Sequence, residues 1–442
     1  DDRIVSAAAR QSGMIRARNF RTMVNYAKGL SLPPVKSNTL IVIARSGGRA
    51  VVAADMAAAF GFDLYPLPPA FREKVKGFFR AKVIEPTNPL DLGDLFDFKI
   101  YVNILEECLK IEDVDAVLIA HEYSSLLERK GTHHLAHAVQ ELSAKYNKPV
   151  ALCPFSEGQE VLSLKKDLEY PTFSEIDEAM EALAVSRDRY RRSRKRAGAE
   201  GVDEPLSISP LRPKDELQQI LASPQKDGVL MIQALEICQG YGIPVAEWAT
   251  ASNPEEAVET AKRLGYPLAL KVLSPHISHK SDVGGIALDI RDEESLKRAW
   301  EEMLSRMQAE ASDAPLEGFL LQRMVSGGQE VILGGKRDHS FGPVVMFGLG
   351  GIYVEVFDDV AFRVAPLTRE DAEEMIAEVK GSRLLRGIRG EKPSDVEAVV
   401  DCLLRLSQLL QDFPSIAEVD INPLIVLKEG ALAVDARVVS RR

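Results

Sequence analysis

A chain of 442 residues is too long for one ordinary hydrophobic core, so two or three domains are expected. Its 45% hydrophobic and 27% charged residues have the balance of a folded globular protein, and a net charge of −11 excludes general affinity for nucleic acid, because a polyanion is repelled. Cys108, Cys153, Cys238 and Cys402 lack C-x-x-C spacing, which excludes a zinc knuckle and a disulfide framework and makes a reducing cytoplasm the default. No apolar stretch has the length of a membrane span, and the acidic Asp1-Asp2 start is no signal peptide.

Residues 1–32 read as two helices, ended by Pro33-Pro34. From Asn38 the pattern becomes strand–helix alternation. A strand at 39–44 runs into Arg45-Ser46-Gly47-Gly48 and a helix at 51–60; a short strand at 64–66 follows, and Val83-Ile84 leads into Asn88-Pro89-Leu90-Asp91. Next come a helix over about 98–111, a buried strand at 116–120, a helix near 133–146 and a strand at 149–153. Such alternation predicts an α/β fold with a parallel sheet and helices on both faces. The Gly47-Gly48 turn sits where these folds bind anions on a helix N-terminus, although tight strand-to-helix geometry alone also explains it. His133, His134 and His137 share a helix without carboxylate spacing and read as a solvated polar face. The basic run 187–196 reads as a solvated helix end, and the proline-bearing stretch 194–226 as a linker.

Beyond the linker, helices are predicted at 228–239 and 254–264, the second capped by Asn253 and closed by Gly265. The apolar run 268–272 carries Lys271 inside it. A polar loop with His276, His279, Lys280, Ser281 and Asp282 follows, closed by Gly284-Gly285 before a second apolar run at 286–290. A cation on a strand beside a glycine-hinged polar loop suits nucleotide phosphates, and a hairpin whose lysine reaches solvent is the open alternative. A helix at 293–309 buries Trp300, Met303, Leu304 and Met307. Strands at 318–322, 331–333 and 344–347 and helices near 370–379 and 396–411 lead to a hairpin of 417–424 with 431–437, turning at Lys428-Glu429-Gly430. On that hairpin Asn422 and Asp435 place oxygen ligands on one face, as Mg²⁺ with phosphate oxygens requires; for Asn422 a turn before Pro423 is the alternative.

Taken together, Tyr241-Gly242-Ile243-Pro244, Ala269-Leu270-Lys271-Val272, His279-Lys280-Ser281-Asp282-Val283-Gly284-Gly285, Phe341-Gly342-Pro343, Gly348-Leu349-Gly350-Gly351 and Asp420-Ile421-Asn422-Pro423-Leu424 resemble the ATP-grasp part of the NDP-forming acyl-CoA synthetases, relatives of succinyl-CoA synthetase. Asn88-Pro89-Leu90-Asp91 and the Ser46-Gly47-Gly48 turn resemble that family's flavodoxin-like CoA-ligase domain. The resemblance implies four segments: 1–36, a helical remnant of the preceding phosphohistidine-type domain; 37–193, the flavodoxin-like domain; 194–226, a linker; and 227–442, a two-lobed ATP-grasp domain.

It further implies an ADP-forming acid–CoA ligase working through acyl phosphate and phosphohistidine on ATP/ADP, Mg²⁺, CoA, phosphate and a small carboxylic acid. Lys271, Lys280, Gln322, Arg323, Met324, Val325 and Glu330 would bind nucleotide, Asn422 and Asp435 the metal. His279 would relay the phosphoryl group, and Ser46, Gly47, Gly48 and Asn88 would line the acyl or phosphate site. The family's CoA-binding domain and its Ser-His-Thr-Gly segment are absent and would lie before Asp1, so a CoA-binding domain or subunit is the expected partner, in an oligomer. Two other classes stay open on the sequence: a ligand-sensing synthetase-like region of a protein lysine acetyltransferase, and an ATP-grasp ligase joining a carboxylate to an amine.

Overall fold

The computed structural model describes residues 1–79, 85–93, 95–198, 207–222, 231–274, 284–310, 316–351, 358–387 and 392–441. The chain divides into two compact units, one of Gly13–Val202 and one of Asp1–Ser12 with Asp203–Arg442. The two N-terminal helices, α1 (Asp2–Gln11) and α2 (Phe20–Ser31), therefore belong to different units.

In the unit Gly13–Val202, β1 (Thr39–Ala44), β2 (Asp63–Leu64), β3 (Leu90–Asp91), β4 (Ala116–Glu122) and β5 (Val150–Phe155) form a parallel sheet. Its order is β2-β1-β4-β5, with β3 also pairing the C-terminal end of β1. Alternate residues serve two cores. Leu40, Val42 and Ala44 of β1 join the side holding α3 (Gly47–Ala59) and α8 (Ile176–Gly198), whereas Ile41 and Ile43 join α5 (Phe98–Lys110) and α6 (Ser125–Tyr146). Burial on both faces is why these strands read as unbroken apolar runs.

Two sequence expectations in this unit are corrected. His133 is no solvated side chain: its Nε2 lies 3.0 Å from Glu160 Oε1 and its Nδ1 3.2 Å from Asp167 Oδ2, both on α7 (Gly158–Asp167). Arg187 opens the basic run but is buried, donating to the carbonyls of Phe60 and Gly61 at 3.0 and 2.8 Å and stacking over Phe62. Its guanidinium satisfies carbonyls at the end of α3 that the helix leaves unpaired.

The other unit has two sheets. The smaller, of order β6-β9-β7-β8, is built from β6 (Trp248–Ala251), β7 (Leu268–Leu273), β8 (Ile286–Ile290) and β9 (Gly318–Arg323), all antiparallel. α11 (Pro254–Leu264) and α12 (Glu293–Glu310) cover one face, with Trp300, Met303 and Met307 in that core as expected. α9 (Lys214–Leu221) and α10 (Met231–Gly240) precede this sheet. α9 lies within the stretch read as a linker, and its i,i+4 pair Leu217 and Leu221 is buried.

The larger sheet runs β12-β11-β10-β13-β14, with β15 beside β13. Its strands are β10 (Gln329–Asp338), β11 (Gly342–Leu349), β12 (Val360–Val364), β13 (Ile416–Val426), β14 (Ala431–Ala433) and β15 (Ala436–Ser440). α13 (Arg369–Glu378) and α14 (Val396–Asp412) pack on it. Leu273 and Leu320 of the smaller sheet share one core with Val331, Leu333 and Phe347 of the larger, which couples the two lobes. Among the described residues no helix is long and apolar enough to cross a membrane.

Candidate active site

On β7 the two-residue period sends Leu268, Leu270 and Val272 into the helix-covered core, so Ala269 and Lys271 point the other way, toward the larger sheet. β7 and β8 do pair as an antiparallel hairpin, but the solvent-reaching lysine of that alternative is overturned: Lys271 is 3% exposed. Its Nζ donates to the carbonyl of Val434 at 2.9 Å. Burial pulls the ammonium pKa down, and the Asp435 carboxylate opposes that pull. An ammonium has three N–H donors, so two remain beyond the bond to Val434 among the described residues.

Val434 and Asp435 are held against Asn422 and Pro423 by backbone bonds, Asn422 N to Asp435 O at 3.2 Å and Val434 N to Pro423 O at 3.0 Å. The β10–β13 ladder slips register between Val331 and Leu333, opposite this pair; such irregularities re-aim side chains. Lys271, on an inner strand of the smaller sheet, therefore meets the segment of Asn422 and Asp435 in the larger sheet at one place.

Among the described residues the Asn422 side chain, which is exposed, makes no hydrogen bond, and Asp435 uses Oδ1 to accept from Ala436 N at 2.8 Å. Asp420, two residues before Asn422, has its carboxyl pushed up by burial, then by Glu418 and Asp435. The hairpin thus carries an excess of negative charge. No group of three or more His, Cys, Asp or Glu side chains able to hold a metal occurs among the described residues. One amide oxygen and one carboxylate fit Mg²⁺ that keeps water and substrate phosphates as its other ligands.

Of the rest of the predicted nucleotide set, Gln322 and Arg323 end β9 beside β7, Met324 and Val325 follow them, and Glu330 lies on β10. Gln322 pairs with Ala269 across β9 and β7 and so shares the Lys271 face. It is 0% exposed, and neither amide atom has a hydrogen-bond partner among the described residues. An orphaned buried amide costs about 1–3 kcal/mol, which makes Gln322 a candidate for completion by a ligand's donor and acceptor edge.

Arg323 N and Met324 N donate to the carbonyls of Glu247 and Pro267 at 2.8 and 3.0 Å, which fixes the chain leaving β9, and Met324 and Val325 are half-buried. The Arg323 guanidinium turns out to Glu247, 3.5 Å away. Glu330 is exposed near the start of β10, where Gly350 N donates to its carbonyl at 2.7 Å. A Cβ on Gly350 would lie 2.8 Å from Glu330 Cβ, so this close approach requires glycine. His279 and Lys280, with His276, lie outside the described residues.

In the parallel-sheet unit, Ser46 is the N-cap of α3 and makes no side-chain cap bond. Gly47 and Gly48 have ordinary φ; an added Cβ would touch only Asp91 Oδ2 at 3.4 Å for Gly47 and nothing for Gly48. Their glycine character leaves the first-turn N–H groups uncovered, as an anion requires. Asn88 is differently employed. Its Oδ1 accepts from Val42 N at 3.0 Å and its Nδ2 donates to the carbonyls of Leu40 and Tyr65 at 2.8 and 3.0 Å, so the amide holds the edge of β1.

Sequence reasoning missed the clasp beside this turn. The Arg45 guanidinium pairs with Glu128 and donates to the carbonyl of Glu122 at 3.1 Å, while Glu128 Oε2 accepts from Ser124 N at 2.9 Å. Together they pin the β4–α6 turn to the end of β1. His121 beneath it is buried, and burial, then Arg45, pushes its pKa down to about 3, so the ring is neutral.

A family model described as an ATP-grasp domain matches residues 222–439. Over 441 residues the chain is 39% identical to the ADP-forming acetate–CoA ligase I of Archaeoglobus fulgidus, covering 98% of this chain and 61% of that protein. It is 33% identical over 439 residues to the ADP-forming 4-hydroxybutyrate–CoA ligase of Nitrosopumilus maritimus, covering 97% and 61%. The chain thus spans 61% of the length of these two relatives. It is also 47% identical over 207 residues to the β subunit of the ADP-forming acetate–CoA ligase I of Pyrococcus furiosus, covering 47% of this chain and 89% of that subunit. Among solved structures, the Ca. Korarchaeum cryptofilum dinucleotide-forming acetyl-coenzyme A synthetase 1 in complex with coenzyme A, Ca-AMPCP and HgCl⁺ matches with a TM-score of 0.50 and 42% identity, over 52% of this chain and 99% of that one.

Proposed function

The chain belongs to the ADP-forming acyl-CoA synthetases, and on that premise we propose that it is the nucleotide-binding part of an acid–CoA ligase converting acid, CoA and ATP to acyl-CoA, ADP and phosphate. The observation that carries the reading is the meeting of Lys271 Nζ with the Val434–Asp435 segment beside Asn422. A buried ammonium on one side and an amide–carboxylate couple on the other are complementary to a triphosphate with its divalent cation.

Lys271 holds phosphate oxygens with the two N–H groups that Val434 leaves over. Gln322 and the segment to Val325 take the base, with Glu330 on the nucleotide. Asn422 and Asp435 would hold Mg²⁺, which would supply positive charge against the phosphates. Phosphoryl transfer needs little covalent help from the protein, so positioning of this kind supplies most of the rate.

The phosphoryl group then passes through histidine to the acid, giving an acyl phosphate; the CoA thiol attacks its acyl carbon, forming the thioester and releasing phosphate. His279 is the proposed relay, and the N-terminus of α3 at Ser46–Gly48 the receiving anion site. In domain terms, 37–193 is the flavodoxin-like ligase domain and 227–442 the ATP-grasp domain, with 1–36 and 194–226 as flanking segments. The ATP-grasp match at 222–439 and the parallel-sheet unit support that plan. The reading places the protein in the cytoplasm with a CoA-binding domain or subunit as partner in an oligomer; separate β subunits among the relatives support this. No comparison favours a sensor region of an acetyltransferase.

Titration calorimetry of the chain with MgATP tests the proposal. Saturable binding that needs Mg²⁺ and is displaced by ADP is expected, with acid-labile label from γ-labelled ATP on His279. Failure to bind MgATP overturns the reading, and label elsewhere removes the relay.

A further inference from the structure

The two-residue period of β13 and β15 gives these strands one buried and one open face. Val419 and Ile421 of β13, with Ala436 and Val438 of β15, lie in the core that α14 shares. The residues between them face the other way. Asp420 is the cross-strand partner of Arg437, and Asn422 lies against Asp435 through its backbone bond. Cross-strand partners point to one side, so Arg437 shares the open face with Asp420, Asn422 and Asp435.

Arg437 is exposed, and among the described residues its guanidinium makes no hydrogen bond and no ion pair. Beside a carboxylate a guanidinium ordinarily closes a two-pronged pair. Here Asp420 stands directly opposite and is not bonded, although Arg437 pulls the Asp420 carboxyl down against burial, Glu418 and Asp435. Five N–H groups are therefore open toward the same face as the proposed metal ligands.

The order of contacts gives the site a direction. Gln322 lies across from Ala269, and Lys271 follows two residues along β7. Lys271 Nζ reaches the Val434 carbonyl, and the chain runs on from Val434 through Asp435 to Arg437 on β15. Arg437 thus comes last in the series that starts at the proposed base site. Two residues of extended chain put it roughly 7 Å beyond Asp435, a distance that an arginine side chain spans.

We infer that Arg437 is a further catalytic residue, binding the terminal phosphate of the triphosphate beyond the point held by Lys271. Its planar fork matches two oxygens of one phosphate, and its charge meets the negative charge that phosphoryl transfer spreads over those oxygens. A diphosphate is one phosphate shorter and leaves Arg437 in water. The inference rests on the proposed ligase reading, because it adds a residue to that nucleotide site.

Parallel calorimetric titrations of the full chain with MgATP and MgADP test it. Arg437→Met is expected to weaken MgATP by about tenfold to a hundredfold and MgADP by less than about twofold. The thermal midpoint is expected to stay in place, since the side chain is exposed. Arg437→Lys keeps the charge without the fork and is expected to fall between. Lys336→Met removes a charge from the same open face, opposite Glu418, and is expected to leave the ratio of the two affinities unchanged. Equal weakening of MgATP and MgADP by Arg437→Met, no weakening of either, or an equal change of ratio in Lys336→Met overturns the inference alone. Absence of MgATP binding by the unsubstituted chain overturns the ligase reading and the inference with it.

Discussion

Replacing Lys271 by methionine separates what the buried ammonium does for the fold from what it does for the ligand. Methionine keeps the length and apolar stem but removes the donor to the Val434 carbonyl, 2.9 Å away. Leaving that carbonyl unpaired costs about 1–3 kcal/mol. Relief from burying a charge offsets it by a similar amount. The thermal midpoint should therefore move by only a few degrees. Nucleotide binding loses two charge-assisted bonds of about 1.5–3 kcal/mol each, or roughly 10²- to 10⁴-fold in Kd for MgATP.

The pH dependence of stability gives a second signature. Because the folded ammonium pKa lies below its unfolded value, the unfolded chain binds more protons between the two values, and stability rises with pH across that alkaline window. Below the folded pKa the burial penalty is present in full. Lys271→Met should lack this rise. Calorimetry and thermal melts on one preparation read both effects; an affinity within about threefold of the unsubstituted chain in a folded variant would refute the site.

Gln322→Leu removes an amide with no partner among the described residues, so the ligand-free protein should become more stable by about 1–3 kcal/mol while affinity for ATP drops; a lower melting temperature contradicts this. Glu128→Gln leaves Arg45 without its counter-charge and should destabilise the protein by about 2–3 kcal/mol in urea, less than a fully buried pair because both groups retain some solvent. Arg45 holds the Glu128 carboxyl below the usual glutamate range. Its stabilisation is therefore present above that range and lost as pH falls through the folded value, an acid-side decline the variant should lack. Gly350→Ala places a methyl group 2.8 Å from Glu330 Cβ and 3.1 Å from the Glu330 backbone. A loss of about 1–3 kcal/mol with weakened nucleotide binding is expected, and an unperturbed variant would show that the approach is looser.

How far the sequence spoke for itself depends on the range of the interaction involved. The strand around Lys271 was legible because its five-residue run is apolar but for that cation, and the closeness of Asn422 and Asp435 because alternation put them on one hairpin. The parallel sheet followed from strands apolar on both faces. Gln322 came only through family resemblance, since its isolation depends on which groups fail to reach it across three strands. His133 was misread because Glu160, its partner on α7, is 27 residues away. β12 was missed because Arg363 interrupts its apolar pattern; the buried guanidinium is matched by Glu378 at 3.0 Å and Glu374 at 3.6 Å on α13. Helix α6 begins eight residues before the predicted start, since Leu126 and Leu127 are exposed and give its first turns no amphipathic signal.

A crystal structure with Mg²⁺ and a non-hydrolysable ATP analogue is the most direct test of the clamp. Lys271 Nζ is expected on a phosphate oxygen, and one metal ion bonded to both the Asn422 amide oxygen and the Asp435 carboxylate. A nucleotide whose phosphates and metal lie away from all three residues would contradict it.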